Sequence, residues 1–313
     1  MSDRIIVNKS MKVALIIPTL NAEPYLDRLL PAIAEQTLKP DIFLVIYSGS
    51  SDGTVKSFLD VGAQVESIVP EVFNHGGTRR LATELIDADI YVFITQDAIF
   101  ADKTALQELC QIFSQNEAVG ATYGRQLPHA NADILASHAR AFNYPASSQL
   151  KAMEDAPLLG IKTCFMSDSF AAYRKISLAK AGGFPEDVIG SEDAYLGAKI
   201  LIKGEKIYYN AKARVFHSHN YTLLVEFRRY FDIGVFYGRE RWIRDIFGDT
   251  NKEGLKFIKS EVTALYKQGL YIKILEVILR TVLKFAGFKL GYLERFLPLT
   301  IKRRIGMFSN YWR

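Results

Sequence analysis

Cysteine is almost missing from this 313-residue chain. Cys110 and Cys164 are the two, and they lack any metal-ligand spacing. That pattern excludes a cysteine metal module and suggests reduced thiols in a cytoplasmic protein. No run of about 18 uncharged apolar residues occurs, so no spanning helix is expected. The N-terminal MSDRIIVNKS leads into no long apolar segment, so it does not read as a signal peptide. No G-x-G-x-x-G follows the first apolar run, which argues against a dinucleotide fold. No G-x-x-x-x-G-K-[ST] occurs, which argues against a P-loop. Repeats and low-complexity linkers are also missing.

What remains is an ordinary globular composition, 49% hydrophobic and 23% charged. It allows one large or two modest domains. The net charge of +5 is unevenly spread. Residues 222–313 hold 18 of the 39 Lys+Arg and 9 of the 34 Asp+Glu, so they carry +9 and the rest −4. Such asymmetry points the C-terminal part toward something anionic, a nucleic acid or a membrane surface.

The central stretch is residues 89–100, DIYVFITQDAIF. Residues 90–95 form a short apolar run rich in β-branched and aromatic side chains, which reads as a buried strand. It ends in Thr95-Gln96-Asp97. A carboxylate just past a buried strand is costly unless something pairs with it. In open α/β sheets, ligands collect at that edge. Asp97 suits a divalent cation on nucleotide phosphates. The alternative is a helix cap, for which Asp102 and Thr104 are better placed.

Before it, residues 12–18, Ile42–Tyr47 and 64–69 read as strands. Helices follow over 24–36, up to Leu59, and from the Asn74–Arg79 turn to about Ala88. Strands alternating with helices imply a mostly parallel sheet covered on both faces. The loops after these strands carry Thr19, Asn21, Ser48, Asp52, Arg79 and Asp97, which should gather along one edge and fit a nucleotide. Further on, 119–123 is a possible strand, 126–159 a polar mixed segment, and 163–173 strand-like. Ser191-Glu192-Asp193 opens a helix over 194–203, and strands 206–209 and 213–216 run into His217-Ser218-His219.

The motifs PTLNAEPYL, YSGSSDGT, HGGTR, TQDA, GGF, SED and VFHSH follow in order. With them, residues 12–219 resemble an inverting glycosyltransferase of family 2. The forms FNHGGTR, ITQDA and HSHNYT resemble its rhamnosyltransferase branch, which uses dTDP-L-rhamnose to build surface polysaccharides. The resemblance implies a GT-A fold, a catalytic domain over 1–221 and a helical C-terminal region over 222–313.

The chemistry asks for these residue types. The sugar leaves a nucleoside diphosphate whose growing charge needs a cation or positive side chains. By resemblance Asp97 holds the metal position of an Asp-x-Asp motif whose first Asp is here Thr95. A divalent metal, Mg2+ or Mn2+, is therefore implied, with His217 as a further ligand and His219 left open. The nucleotide sugar is expected on Thr19, Asn21, Glu23, Ser48, Asp52, Arg79 and Gln96. Relatives carry an acid at the end of the second strand, where this chain has Tyr47. Inversion requires an acceptor hydroxyl attacking opposite the leaving group, helped by a base. That base is implied to be Asp193, with Glu192 and Asp168 supporting. Purely structural readings remain open: Glu23, Glu192 and Asp193 as first-turn helix acids, and Arg79 as a solvated helix start.

In the C-terminal third a helix is expected over 270–291. Lys273, Glu276, Arg280 and Lys284 form one narrow polar stripe on it. The helix either packs against the catalytic domain or a homodimer partner, or lies on a membrane surface. Lys302-Arg303-Arg304 with Phe308, Tyr311 and Trp312 would add basic and aromatic anchors. The expected partners are a nucleotide sugar, a lipid-linked saccharide acceptor and the inner face of the cell membrane. Competing readings are a UDP-hexose donor, a nucleotidyltransferase and a non-catalytic binder motivated by Thr95. The nucleotidyltransferase glycine-rich signature is missing from residues 18–23, and retention of Asp97, Asp193 and both histidines argues against the binder. No nucleic-acid module is recognisable, so no nucleic-acid partner is expected.

Overall fold

β1 (Val13–Thr19) and β4 (Ile90–Ile94) are apolar along their length and buried on both faces, as the inner strands of a parallel sheet must be. The computed structural model describes residues 11–249 and 251–312. The MSDRIIVNKS segment lies outside them. Between β1 and β4 come α1 (Glu23–Ala34), β2 (Ile42–Tyr47), α2 (Thr54–Asp60), β3 (Gln64–Ser67) and α3 (His75–Leu85). Then follow β5 (Ile99–Phe100), α4 (Ala105–Gln115), β6 (Val119–Leu127), α5 (Ile134–Asn143), β7 (Gln149–Lys151) and α6 (Ala156–Leu159). β8 (Phe170–Arg174), α7 (Lys175–Ala181), α8 (Glu192–Ile202) and β9 (Lys206–Phe216) complete the α/β part. The C-terminal helices are α9 (Leu223–Arg239), α10 (Arg241–Phe247), α11 (Asn251–Lys267), α12 (Tyr271–Tyr292) and α13 (Leu299–Ile305).

The sheet order is β3-β2-β1-β4-β8-β6-β9-β5, with β7 also on β9. β1, β2, β3, β4, β6 and β9 run one way, and β5, β7 and β8 run against them. The sheet is thus mostly parallel, as expected. Because strand side chains alternate, each inner strand feeds two cores. Ala14, Ile16, Tyr91 and Phe93 face one layer; Val13, Leu15, Ile17, Val92 and Ile94 face the other. The first layer also takes Phe231, Val235 and Trp312, so the C-terminal helices share a core with the sheet.

Local signals account for the helix starts. Pro24 sits in the first turn of α1, where its missing N–H is harmless. Asn74 caps α3 by accepting from Gly77 N at 2.8 Å, and Asp133 caps α5 by accepting from Ala136 N at 2.7 Å. Gly76 is required by packing. A Cβ there would stand 1.8 Å from the Pro185 carbonyl oxygen, so only glycine lets α3 meet the turn that leads to α8.

Several expectations need correction. Residues 163–173 are not one strand. A 3-10 turn covers Gly160–Thr163 and β8 begins only at Phe170. The 126–159 segment, read only as polar and mixed, holds α5, β7 and α6. The two strands at 206–209 and 213–216 are one, β9, with a register shift opposite Gly124 and Arg125. Helix α8 starts at Glu192, before Ala194.

Candidate active site

The six co-directional strands bring their C-terminal ends to one edge. Thr19, Tyr47, Asp97, Gln126 and His217 lie there, at or just past strand ends. β8 runs backwards, so its N-terminal end arrives at that edge instead, delivering Asp168. β5 adds a short return. Its pairing of Ile99 with Phe216 carries Asp97 alongside the residues that follow β9.

The result is a triad. Asp97 Oδ2 lies 3.4 Å from His217 Nε2 and 3.5 Å from His219 Nε2, and the two imidazole nitrogens are 3.1 Å apart. All three ligand atoms lie within 4.8 Å of one another. His217 Nδ1–H donates to Gln126 Oε1 at 2.9 Å, which turns Nε2 toward Asp97. Gln126 is itself oriented, because its Nε2 donates to Ser167 Oγ at 2.8 Å and Arg140 donates to its Oε1. Burial acts to raise the Asp97 pKa, but its polar neighbours, His217 foremost, hold it below the usual carboxylate range. Burial, then His217, pushes His219 down to about 4, so it is a neutral imidazole at neutral pH. Two imidazole nitrogens and a carboxylate facing one point fit a divalent cation. His217 and His219 both stand in this cluster.

The early loops are stitched to each other. Gln96 Oε1 accepts from Thr19 Oγ1 at 2.7 Å and from Leu20 N at 2.8 Å, and its Nε2 donates to Leu20 O at 3.0 Å. Asn21 Oδ1 accepts from Ser51 N at 2.9 Å, Asp52 Oδ2 from Glu23 N at 3.2 Å, and Glu23 Oε2 from Gly53 N at 3.3 Å. Ser48 N donates to Thr19 O at 3.2 Å. Thr19, Asn21, Glu23, Ser48, Asp52 and Gln96 therefore form one scaffold joining the loops after β1, β2 and β4. Asn21 sits at φ +50° and Ser191 at φ +60°, the two non-glycine residues in the left-handed region among those described. Such strain concentrates at functional loops, and these two stand where α1 and α8 begin.

Arg79 is buried, so it is not a solvated helix start. Its Nη1 is 2.8 Å from Glu192 Oε1 and its Nε 3.1 Å from Asp168 Oδ2, with the guanidinium 4% exposed. Buried between those carboxylates, it does not reach the scaffold of the early loops. Tyr173 OH donates to Asp168 Oδ1, and Asp168 N donates to Asp193 Oδ2 at 3.4 Å. Asp193 Oδ1 accepts from Ala194 N at 2.7 Å. Asp168, Glu192 and Asp193 thus share one cation. Burial first, then the charges of Glu192 and Asp168, push the Asp193 pKa well above the usual carboxylate range. Burial also raises Asp168, against the pull of Arg79. A carboxyl with a raised pKa is suited to accepting a proton near neutrality.

A cleft of about 400 Å³ opens beside the triad. Asp97, His129 and His219 line one side, and Tyr25 and Arg28 of α1 the other. Sequence reasoning missed Arg28, His129 and Gln126. A signal existed for Gln126, a polar residue inside an otherwise buried strand that demands partners.

The family model for glycosyl transferase family 2 matches residues 14–182. The chain is 46% identical over 304 residues to the O-antigen chain rhamnosyltransferase RfbN of Salmonella typhimurium, covering 96% of each. It is 44% identical over 300 residues to the O-antigen chain rhamnosyltransferase WbaN of Salmonella anatum, covering 95% of each. Among solved structures, the mannosyltransferase PcManGT of Pyrobaculum calidifontis, in complex with GDP-Man and Mn2+, superposes with TM-score 0.65 at 16% identity. The match covers 91% of this chain and 88% of that one. S. aureus TarS 1–349 in complex with UDP-GlcNAc gives 0.56 at 16% identity, over 95% and 84%. These likenesses identify the curled mixed sheet with its helices as a GT-A fold. The family match spans more than half the chain and the two Salmonella proteins match nearly all of it, so the chain belongs to glycosyl transferase family 2.

Proposed function

We propose that this chain transfers L-rhamnose from dTDP-L-rhamnose, with inversion, onto a lipid-linked saccharide in O-antigen chain synthesis. The observation that carries this is near-full-length identity to two O-antigen chain rhamnosyltransferases. Asp193 acts as the base. The acceptor oxygen attacks the anomeric carbon, its proton passes to Asp193 Oδ2, and the bond from that carbon to the diphosphate oxygen breaks. Glu192, Asp168 and Arg79 hold Asp193 in place and set its basicity. Thr19, Asn21, Glu23, Ser48, Asp52 and Gln96 form the nucleotide cradle, from which we remove Arg79.

Asp97, His217 and His219 would hold a divalent cation, whose chemistry is neutralisation of the departing diphosphate. Two imidazoles among three ligands favour Mn2+ over Mg2+, which prefers oxygen ligands. Residues 1–221 carry the chemistry and 222–313 the attachment. A lipid-linked acceptor sets the enzyme to work at the inner face of the cell membrane.

A donor panel with a divalent metal and a lipid-linked acceptor tests the assignment. dTDP-L-rhamnose should give the fastest transfer. Tighter binding and faster turnover of UDP-glucose or UDP-galactose would sink it.

A further inference from the structure

Helix α12 is amphipathic the wrong way round for a helix of a free-standing globule. Arg280 and Lys284 in its middle point inward. Arg280 Nη1 lies 2.7 Å from Glu226 Oε2 on α9 and donates to Tyr221 O at 2.9 Å, and Lys284 Nζ lies 3.1 Å from Glu226 Oε1. α12 also approaches α9 closely, because a Cβ at Gly291 would stand 1.9 Å from Phe231 O. The apolar side chains point outward. Ile272 is 83% exposed and Leu275 67%, and Ile278, Leu279, Val282 and Phe285 are exposed with them. Their steps of three and four make one continuous stripe. Exposed apolar stripes of this length mark interaction surfaces.

We infer that the outward stripe of α12 is a seat on an anionic lipid surface, a conclusion that rests on the lipid-linked acceptor proposed above. No helix among the described residues is long and apolar enough to cross a membrane, so α12 lies on the surface. Charge complementarity selects lipid over a second copy. Lys267 precedes the stripe, and Lys289 and Arg295 follow it, all exposed. Lys289 Nζ is 5.5 Å from the Phe285 ring centre and the Arg295 guanidinium 4.7 Å from that of Phe296. These are cation–aromatic pairs suited to the headgroup boundary. Nearby acids are already engaged: Glu276 by Lys273 and Arg280, and Glu294 by Arg239 and Lys302. A two-fold contact along the stripes, parallel or antiparallel, would therefore set cations against cations. Anionic headgroups turn the same cations into attraction.

The test is flotation with phosphatidylcholine vesicles, with and without phosphatidylglycerol. It compares the full chain with a Leu275→Glu, Phe285→Glu variant, both sites being exposed and outside the core. Wild type should float with the anionic vesicles, release as salt is raised, and sediment as a monomer without lipid. The variant should lose at least ten-fold in partition. Its melting temperature, and its transfer to a water-soluble acceptor, should stay unchanged. Equal partition into neutral vesicles, unaltered flotation of the variant, or a lipid-free dimer that the variant dissociates would each overturn the inference. Failure of both proteins to use any rhamnosyl donor would overturn the proposed function and leave the flotation result standing.

Discussion

His217 Nδ1 and Gln126 Oε1 lie 2.9 Å apart, and this one hydrogen bond joins the two halves of the site. On one side it fixes which imidazole nitrogen faces Asp97. On the other, Gln126 holds Ser167, the neighbour of Asp168, whose N–H reaches Asp193. The metal-candidate triad and the base cluster thus share a polar hinge on β6.

Gln126→Leu should therefore weaken metal binding without touching a ligand. Loss of such a hydrogen bond typically costs about 10–100-fold in affinity. Gln126→Glu can still accept from His217 and pair with Arg140, so it should restore affinity. Calorimetric titration with Mn2+ measures both. Equal affinity in Gln126→Leu and wild type would remove Gln126 from this role.

Removal of metal or of Asp97 should have matching effects. Asp97→Ala deletes the charged ligand of the three, and transfer should fall by roughly 10²–10³-fold, the usual cost of losing a transition-state stabiliser. A chelator should silence the wild type, and re-added Mn2+ should rescue it better than Mg2+. Full rates in chelator would mean that positive side chains, Arg28 foremost, neutralise the diphosphate alone.

How much of this was legible in the sequence depended on the range of the contacts. β1, β2 and β4 announce themselves because they are apolar on both faces, and the motifs at their ends follow directly. The two-residue β5 does not, since it exists only through pairing with β9, far along the chain. Nor does the reversal of β8, which puts Asp168 at the active edge by its N-terminal end. The stretch over 163–173 resembles strand, yet β8 begins only at Phe170, and before it Cys164 and Met166 are core without being sheet. The burial of Arg79 does not announce itself either, because its partners Asp168 and Glu192 come from segments that only folding brings together. The polar stripe of α12 was visible, but its direction was not, because Glu226 on α9 decides it.

Arg79 should govern the pH profile rather than donor affinity. It is the cation among three carboxylates, and removing a positive charge disfavours their ionised forms. The Asp193 pKa is already raised, so the acid limb of kcat/KM should lie above the ordinary carboxylate range, with activity gained as pH rises through it. In Arg79→Gln that limb should move to still higher pH, with a stability loss of about 3–5 kcal/mol from a broken buried pair. Arg79→Lys keeps the charge and should move it less. Weakened donor binding with an unmoved limb would return Arg79 to the nucleotide.

Asp193→Asn isolates the base. The substitution keeps shape and hydrogen-bonding reach and removes basicity. A base accepts its proton as the acceptor oxygen attacks and is not needed to hold the donor. General base catalysis is worth roughly 10²–10⁴-fold, so transfer should fall by that much or more. Donor affinity should hold, since the loop scaffold of Thr19, Gln96, Asn21 and Asp52 is untouched. Glu192→Gln should be milder on chemistry, because Glu192 faces Arg79 rather than the acceptor. The product from a β-linked donor should be the α-rhamnoside, identified by its anomeric NMR coupling. Near-wild-type turnover in Asp193→Asn, a defect confined to donor binding, or a product retaining the donor's configuration would each remove Asp193 as the base and send the search to Asp168.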